Sequence, residues 1–248
     1  MADWGRHAYP APQTEGCERP ILARMYQDRH DAALQLASRL SAYRGQHALV
    51  LGIPRGGVPM AHCIAQALEG ELDVIMARKI ANPLLPEYAV GAVNEDGWAY
   101  YSPFADTLIR HPAELDIEKL HQLDVMRRRR AHYTPAREPI DAKDRLVIVV
   151  DDGVATGATM VAALHAVRSR RPRKLVCAVP VASHESLRQI QPWVDELVCL
   201  QTPVKLEAIS QHYRHFPPVS DAEVMRCLRS PPPRAQEPRH ESQATRVS

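Results

Sequence analysis

The stretch RLVIVVDDGVATGATM, residues 145–160, decides how this chain is organised. Its branched apolar run, residues 147–150, ends directly on Asp151 and Asp152, and a loop of small residues follows. A short run without polar residues is typical of a strand that is buried on both faces of a parallel sheet. The segment after the loop, GATMVAALHAVRSR, has the apolar spacing of a helix. The stretch therefore predicts a strand, a loop and a helix, with two carboxylates where the strand ends.

Short apolar strands alternate with helical segments over most of the chain. The predicted strands are HALVLGIP, LDVIMARKI, LVIVVDD, KLVCAVPV and DELVCLQT. This alternation is the signature of a parallel sheet built from right-handed crossover units. The predicted fold class is therefore α/β, with a doubly wound, mostly parallel sheet of five strands.

The composition along the chain indicates one domain with two unstructured ends. Residues 1–20 mix proline, glycine and charge without periodicity and predict a flexible arm, while the proline-rich, polar residues 230–248 predict a disordered tail. The domain is expected over residues 21–229. Within it, residues 80–144 interrupt the rhythm with a hairpin-like stretch and one long helix near residues 112–132. So long an insertion is typical of a flap or hood over a functional site.

Charge and cysteine content exclude several classes of protein. The 31 basic and 29 acidic residues leave a net charge of +2, which is too weak to indicate nucleic acid or an acidic membrane surface. The five cysteines include no C-x-x-C pair, which argues against a disulfide framework or a zinc site. No apolar stretch approaches the roughly 18 residues of a spanning helix. We expect a cytoplasmic protein without nucleic-acid or membrane partners, and a homodimer is compatible with the sequence.

The acidic pair and the loop after it predict a site for a phosphorylated sugar. Ligands of parallel sheets bind beyond the carboxyl ends of the strands, where Asp151 and Asp152 are expected. The loop, residues 153–159, opens a helix whose free N–H groups attract an anion, and its glycines and threonines allow close approach and add hydroxyl donors. We therefore expect the phosphate on the loop and vicinal sugar hydroxyls on the acids.

Other phosphate-binding motifs do not fit this stretch. It has neither the G-x-x-x-x-G-K-[ST] spacing nor the lysine of a Walker loop, and its acids precede the glycines, unlike a dinucleotide fingerprint. The plainer alternative is that Asp151 only caps a helix.

Residues 147–159, VIVVDDGVATGAT, resemble the 13-residue phosphoribosyl pyrophosphate (PRPP) motif of type I phosphoribosyltransferases. That motif is an apolar strand, two acids, three further residues and T-G-x-T. Together with PRGGVP and RKI-x-x-P-x-x-PEYAVGAV, it resembles a little-assigned bacterial branch of that family, over about residues 25–228. The resemblance implies a type I phosphoribosyltransferase fold, with the insertion as its flap or hood.

The resemblance also implies roles for the residues of the motif. In the family the two acids bind the 2′ and 3′ hydroxyls of the ribose, which here are Asp151 and Asp152. The implied 5′-phosphate site consists of Ala155, Thr156, Gly157, Ala158 and Thr159. Members that act on 6-oxopurines carry an acid where this chain has alanine at position 155, whereas adenine-type members carry alanine. Hypoxanthine and guanine are therefore disfavoured as acceptors, without adenine being established.

Two basic segments are candidates for the pyrophosphate. Arg55, with Gly56 and Gly57 beside it, offers a cation and backbone N–H groups after the first strand. From these residues alone a tight strand-to-helix turn explains the glycines equally well, but the resemblance implies the pyrophosphate loop. Arg78 and Lys79 leave the end of the second strand, where they are either solvated or placed to neutralise the departing pyrophosphate.

The run of arginines 127–130, at the end of the long helix, favours a solvated face beside the negative helix terminus. Closure over a phosphate is the less favoured alternative. Tyr213 and Phe216 follow the last strand and either stack on a base or close the edge of the core.

The activity implied by the resemblance is transfer of phosphoribose from PRPP to a small nitrogenous base, with Mg²⁺ required. Asp151, Asp152, Arg78 and Lys79 are the candidate catalytic residues. Mg²⁺ is expected to bridge ribose hydroxyls and pyrophosphate, with no firm direct protein ligand, and no residue stands out as a general base. A regulator or sensor that binds PRPP without turnover is the alternative.

Overall fold

The computed structural model describes residues 25–82, 89–102, 112–135 and 137–229. The predicted arm, residues 1–20, and tail, residues 230–248, lie outside them. The strands are β1 (Leu49–Gly52), β2 (Glu71–Val74), β3 (Ala77–Ala81), β4 (Ala89–Asn94), β5 (Ala99–Tyr101), β6 (Leu146–Val150), β7 (Lys174–Val181) and β8 (Glu196–Gln201). The helices are α1 (Arg29–Arg39), α2 (Gly57–Leu68), α3 (Pro112–Tyr133), α4 (Ala158–Ser169), α5 (His184–Ile190) and α6 (Asp221–Arg229).

The central sheet confirms the predicted fold class. Five strands lie in the order β2-β1-β6-β7-β8, and every neighbouring pair is parallel. The middle strand, β6, contains the apolar run that precedes the two acids, and all five of its residues are buried. An order that runs in both directions from β1 and β6 is the doubly wound arrangement, which leaves a crevice at the carboxyl ends of these strands.

Both faces of the central sheet are covered because successive side chains of a strand point to opposite faces. Val147 and Val149 of β6 pack on the α4 side, in one cluster with Val161 and Leu164 of that helix. The alternate residues of the strand pack with α1 and α2; they are Leu146, Ile148 and Val150. A strand with two apolar faces therefore needs helices on both sides, and the sequence supplies them.

A second sheet forms around the start of the insertion. The strands β3, β4 and β5 are antiparallel, and α3 packs on β3 through a cluster that contains Ile80 and Met126. The predicted strand LDVIMARKI was wrong as a single element, because it divides into β2 and β3, which belong to different sheets. The partner strand β1 pairs with only the four residues of β2, so the rest of this apolar run pairs with β4.

A network of ions fastens α3 to both sheets. The buried carboxylate of Asp73, at the end of β2, accepts hydrogen bonds from Arg137 at 2.7 Å and from the Ile140 amide at 3.0 Å. Arg130 donates to Glu95 at 2.8 Å and lies 3.4 Å from Asp73. The prediction of a solvated face is therefore wrong for Arg130, whose side chain is only 15% exposed. No helix in the described ranges is both long enough and apolar enough to cross a membrane.

Candidate active site

Asp151 and Asp152 lie at the carboxyl edge of the central sheet, directly after β6. The Asp152 amide donates to Asp151 Oδ1 at 2.9 Å, which fixes the turn that brings both carboxyl groups to this edge. The neighbouring strand β1 ends at the same level, and the Ile53 amide donates to the Val150 carbonyl at 2.9 Å. The sheet register therefore brings the loop after β1 against the acidic pair.

Two glycines allow that loop to approach the acids. A Cβ atom on Gly56 would lie 1.8 Å from Asp152 Oδ2, and one on Gly57 would lie 2.5 Å from the Val150 carbonyl oxygen. Both distances are too short for any side chain, so packing alone requires the glycines, whether or not an anion binds to this loop. The Pro54–Arg55 peptide bond is cis. The Arg55 side chain is 42% exposed and lies 4.0 Å from the Asp221 carboxylate.

Burial disfavours the charged form of both carboxyl groups of the acidic pair. Burial, and then repulsion from Asp152, raises the pKa of Asp151 well above its usual range. Burial also raises the pKa of Asp152, although the Arg29 guanidinium opposes that rise. Two adjacent, buried carboxyl groups with raised pKa values make this edge of the sheet a candidate functional site.

Arg29, the first residue of α1, joins the acids to the chain after β8. Its Nε donates to Asp152 Oδ2 at 2.8 Å, and its Nη1 donates to the Pro217 carbonyl at 2.7 Å. The guanidinium carbon lies 3.7 Å from the centre of the Phe216 ring, which is within the range of a cation–π contact. Only 13% of the Arg29 side chain is exposed. Its guanidinium is therefore held by three partners, of which Asp152 is the charged one.

Tyr213 and Phe216 line this contact rather than an open surface. Tyr213 is 3% exposed, and its hydroxyl donates to the Asp152 carbonyl at 2.7 Å. Its ring contacts Tyr26 at 5.3 Å and Phe216 at 4.6 Å between ring centres. This placement favours the second sequence alternative, in which the two aromatics close the core, and stacking on a base remains a prediction.

The loop between β6 and α4 has the form of an anion site. Gly157 precedes the helix with a φ of +81°, a backbone conformation that favours glycine, and no side chain caps the helix. The Ala155 carbonyl accepts from Ser186 Oγ at 2.6 Å, which ties the loop to α5. Ala155 and Thr156 are exposed, and Thr159 is half-buried. Unpaired N–H groups of the first turn of α4 are thus available to an anion.

Arg78 and Lys79 point in different directions because neighbouring residues of a strand face opposite sides. Arg78 donates to the Gln122 side chain of α3, and burial followed by the charge of Arg129 lowers its pKa. Lys79 is exposed, and its charge opposes the rise in the pKa of Asp151. The structure brings Lys79 into the electrostatic surroundings of the acids and places Arg78 against the long helix.

Arg29 was not predicted from the sequence. It lies 123 residues from Asp152 in the chain, and no spacing rule links them. The only local signal is Asp28, whose carboxylate accepts from the Asp31 amide at 2.9 Å and caps α1. That cap predicts where the helix starts but not what its first residue contacts.

At this edge of the sheet the acidic pair supplies oxygen ligands of the kind that Mg²⁺ prefers. Within the described ranges, no group of three or more His, Cys, Asp or Glu side chains is arranged to hold a metal ion. A Mg²⁺ ion at this edge of the sheet therefore stays a prediction.

Known proteins resemble this chain in sequence and in backbone. The family profile of the phosphoribosyl transferase domain matches residues 24–214. Proteins of two Mycobacterium tuberculosis strains, CDC 1551 / Oshkosh and H37Rv, both provisionally named phosphoribosyl transferases, are 39% identical over 209 residues. These matches cover 83% of this chain but 46% of each relative, so the chain spans about half of their length.

A solved structure shows the same similarity in three dimensions. The crystal structure of TT1426 from Thermus thermophilus is 40% identical, with a TM-score of 0.69. The match covers 82% of this chain and 97% of that protein.

Proposed function

This chain belongs to the phosphoribosyl transferase domain family, and on that premise we propose that it transfers phosphoribose from PRPP to a nitrogenous base. The nitrogen of the base would attack C1 of the ribose, and the bond from C1 to the pyrophosphate oxygen would break. The leaving group takes the electron pair of that bond. The work of the protein is then alignment of the ribose and stabilisation of the departing charge.

The observation that carries the proposal is the position of Asp151 and Asp152 between two loops that suit anions. On one side the loop before α4 offers unpaired N–H groups, beginning five residues after Asp152 at Gly157. On the other side the loop that contains Arg55 touches the Asp152 carboxylate through Gly56. A ribose that carries one phosphate at C5 and a pyrophosphate at C1 matches this order of groups, with its hydroxyls on the acids.

Positive charge near the pyrophosphate end would come from Arg55 and Lys79, which are both accessible to solvent. Mg²⁺, held by the substrate's own oxygens beside the acidic pair, would add the charge neutralisation that makes pyrophosphate a good leaving group. Arg78 would act indirectly, because its guanidinium is bound to Gln122. We therefore propose Arg55 and Lys79 as the residues that face the departing pyrophosphate.

The acceptor is proposed to be a base other than hypoxanthine or guanine. Ala155 is exposed at the edge of the site and offers no carboxylate to the ring nitrogen of a 6-oxopurine. The described cysteines, at positions 63, 177, 199 and 227, are free, which supports a reducing compartment, and we place the reaction in the cytoplasm.

The experiment is to incubate the protein with Mg-PRPP and a panel of nitrogenous bases and to measure pyrophosphate release. We expect release with at least one base, and a fall of about tenfold or more in Asp152→Asn, which removes a charged acceptor for a hydroxyl. Asp124→Asn is the matched control, because that carboxylate is 53% exposed on α3. Tight PRPP binding with no release for any base would contradict the transferase and support the PRPP-binding regulator.

A further inference from the structure

We propose that Arg29 is a positioning residue: it binds Oδ2 of the Asp152 carboxylate and so orients Oδ1 toward the sugar. The inference rests on the proposed function, because it takes Asp152 as the ligand of a ribose hydroxyl. It adds a residue from the first turn of α1, outside the acidic pair and both loops. It also assigns a purpose to the contacts that Phe216 makes.

The two oxygens of Asp152 have different surroundings. Oδ2 accepts from Arg29 Nε at 2.8 Å, and it is the atom that a Cβ on Gly56 would strike at 1.8 Å. Among the described residues, Arg29 is the only one whose side chain donates to this carboxyl group, and it donates to Oδ2 rather than Oδ1. Oδ2 is therefore enclosed by Arg29 and the loop after β1, while Oδ1 remains for a hydroxyl donor. An ionised carboxylate accepts several hydrogen bonds, so the ion pair with Arg29 leaves this capacity intact.

Arg29 is itself held in place by groups that do not belong to the acids. Its Nη1 donates to the Pro217 carbonyl at 2.7 Å, and its guanidinium carbon lies 3.7 Å from the centre of the Phe216 ring. Phe216 in turn contacts Tyr213, whose hydroxyl donates to the Asp152 carbonyl. These contacts form a closed ring, Asp152–Arg29–Phe216–Tyr213–Asp152, which we call the Arg29 ring. Both the carboxylate and the backbone of Asp152 are fixed by it.

An arginine suits this position better than a lysine. The planar guanidinium donates in two directions, to a carboxylate and to a carbonyl, while its face lies on an aromatic ring. A lysine ammonium could retain the charge beside Asp152 but could not keep all of these contacts at once. Substitution by lysine therefore separates the effect of charge from the effect of geometry.

The competing explanation is that Arg29 leaves Asp152 and binds an anionic group of PRPP directly. The two roles differ in how the effects of substitutions combine. If Arg29 acts through Asp152, its loss has little further effect once the carboxylate has been removed. If Arg29 binds the substrate itself, the losses from the two sites add.

Calorimetry with ribose 5-phosphate is the first test, since this ligand has the hydroxyls and the 5′-phosphate but no pyrophosphate. We expect Arg29→Gln to weaken binding about tenfold, and Arg29→Lys to lie between it and the wild type. In the Asp152→Asn background, Arg29→Gln should add less than about threefold. Arg44→Gln is the matched control, because Arg44 is exposed and pairs with Glu69 on the surface.

Additive losses in the double variant, or wild-type affinity in Arg29→Lys, would overturn the positioning role. Melting temperatures of all variants separate a loss of binding from a loss of folding. Arg29→Lys keeps the charge, so it provides the comparison if Arg29→Gln does not fold.

A second readout does not depend on the proposed function. The carboxyl carbon of Asp152 can be followed by NMR and assigned by its absence in Asp152→Asn. Because Arg29 opposes the rise in the pKa of Asp152, the titration midpoint should move upward in Arg29→Gln. The other charged and titratable groups around the acidic pair, Asp151, Lys79 and Tyr213, are unchanged in this comparison.

The two readouts separate two kinds of failure. A wild-type protein that binds neither ribose 5-phosphate nor PRPP would refute the proposed function, while the titration would still decide whether Arg29 controls the carboxylate. An unchanged midpoint in Arg29→Gln would refute the Arg29 ring, even if PRPP turnover were established.

Discussion

Two groups of acids among the described residues are largely shielded from solvent, and they differ in how many cationic partners surround them. Asp73 and Glu95, between the two sheets, are surrounded by Arg130, Arg137 and Arg170, with ion-pair distances of 2.7–3.4 Å. We call them the neutralised group. Asp151 and Asp152, at the edge of the central sheet, have Arg29 as their one direct ion-pair partner among the described residues. We call them the unbalanced group, since their charges are not balanced within the site.

The difference separates a structural use of the acidic side chain from the functional use that we propose for the acidic pair. The neutralised group fastens α3 to both sheets through hydrogen bonds from an amide and from guanidinium groups. The unbalanced group costs stability, because burial raises the pKa of both members and repulsion from Asp152 adds to the rise at Asp151. A ligand that brings donors and cations would relieve that cost, so the imbalance supports the proposed binding site.

The largest effect that tests this comparison is a loss of stability in the neutralised group. Asp73→Asn should reduce the free energy of unfolding by about 3 kcal/mol, because it leaves Arg130 and Arg137 without their shared carboxylate. For a domain of this size the melting temperature should fall by roughly 6–12 °C. Thermal unfolding measures this, with Asp124→Asn as the exposed control. A fall of less than about 2 °C would show that the network is dispensable.

The second effect is a loss of ligand affinity on substitution in the unbalanced group. Asp152→Asn should weaken PRPP binding by about 10–150-fold, the worth of a hydrogen bond to a charged acceptor. Its melting temperature should change little at neutral pH, because the lost ion pair with Arg29 is offset by the relief of repulsion from Asp151. Calorimetry and thermal unfolding on the same samples check both statements. A large stability loss with normal affinity would place Asp152 with the structural acids.

The third effect is a pH-dependent gain of stability in the Asp151→Asn variant. Because the pKa of Asp151 is higher in the folded than in the unfolded state, the folded state holds more protons between the usual aspartate value of about 3.9 and the raised value. Stability contributed by this group is therefore present below that window and is lost as the pH rises through it. The asparagine of Asp151→Asn does not titrate, so the variant does not lose this stability as the pH rises. Its side-chain oxygen can still accept the hydrogen bond from the Asp152 amide.

We therefore expect Asp151→Asn to melt at a higher temperature than the wild type at neutral pH, with a difference that shrinks at about pH 3. Melting curves across this range are the measurement. A variant that is less stable than the wild type at neutral pH would mean that the Asp151 charge is favourable in the fold, which a raised pKa of this carboxyl group does not allow.

The sheet edge at which the unbalanced group lies could be predicted, because it depends on residues that are contiguous in the sequence. The apolar run of β6, the two acids and the glycines after them are contiguous, and the parallel sheet follows from the alternation of strands and helices. Residues 72–80 were predicted as one strand, because an apolar run does not show where its pairing partner changes. That change depends on the length of β1, which lies elsewhere in the chain.

Contacts between distant segments could not be predicted. Arg29 meets Asp152, and Arg130 meets Asp73, through the packing of whole helices, so no spacing in the sequence records either pair. The run of arginines 127–130 was predicted to be solvated as a unit. A helix turns by about 100° per residue, so a run of four faces almost all directions and must divide between core and solvent.

The smallest expected effect comes from comparing two arginines of this run, one on the solvent side of α3 and one on its core side. Arg128 lies two residues from Arg130 but is 68% exposed, and it pairs with Asp124 one turn earlier at 2.6 Å. An exposed pair at this spacing contributes about 0.3–0.5 kcal/mol, so Arg128→Gln should lower the melting temperature by less than about 2 °C. That small effect should disappear in high salt, because exposed charges are screened. A change as large as that of Asp73→Asn, measured by thermal unfolding at both salt concentrations, would mean that the outward face of α3 also carries a stabilising contact.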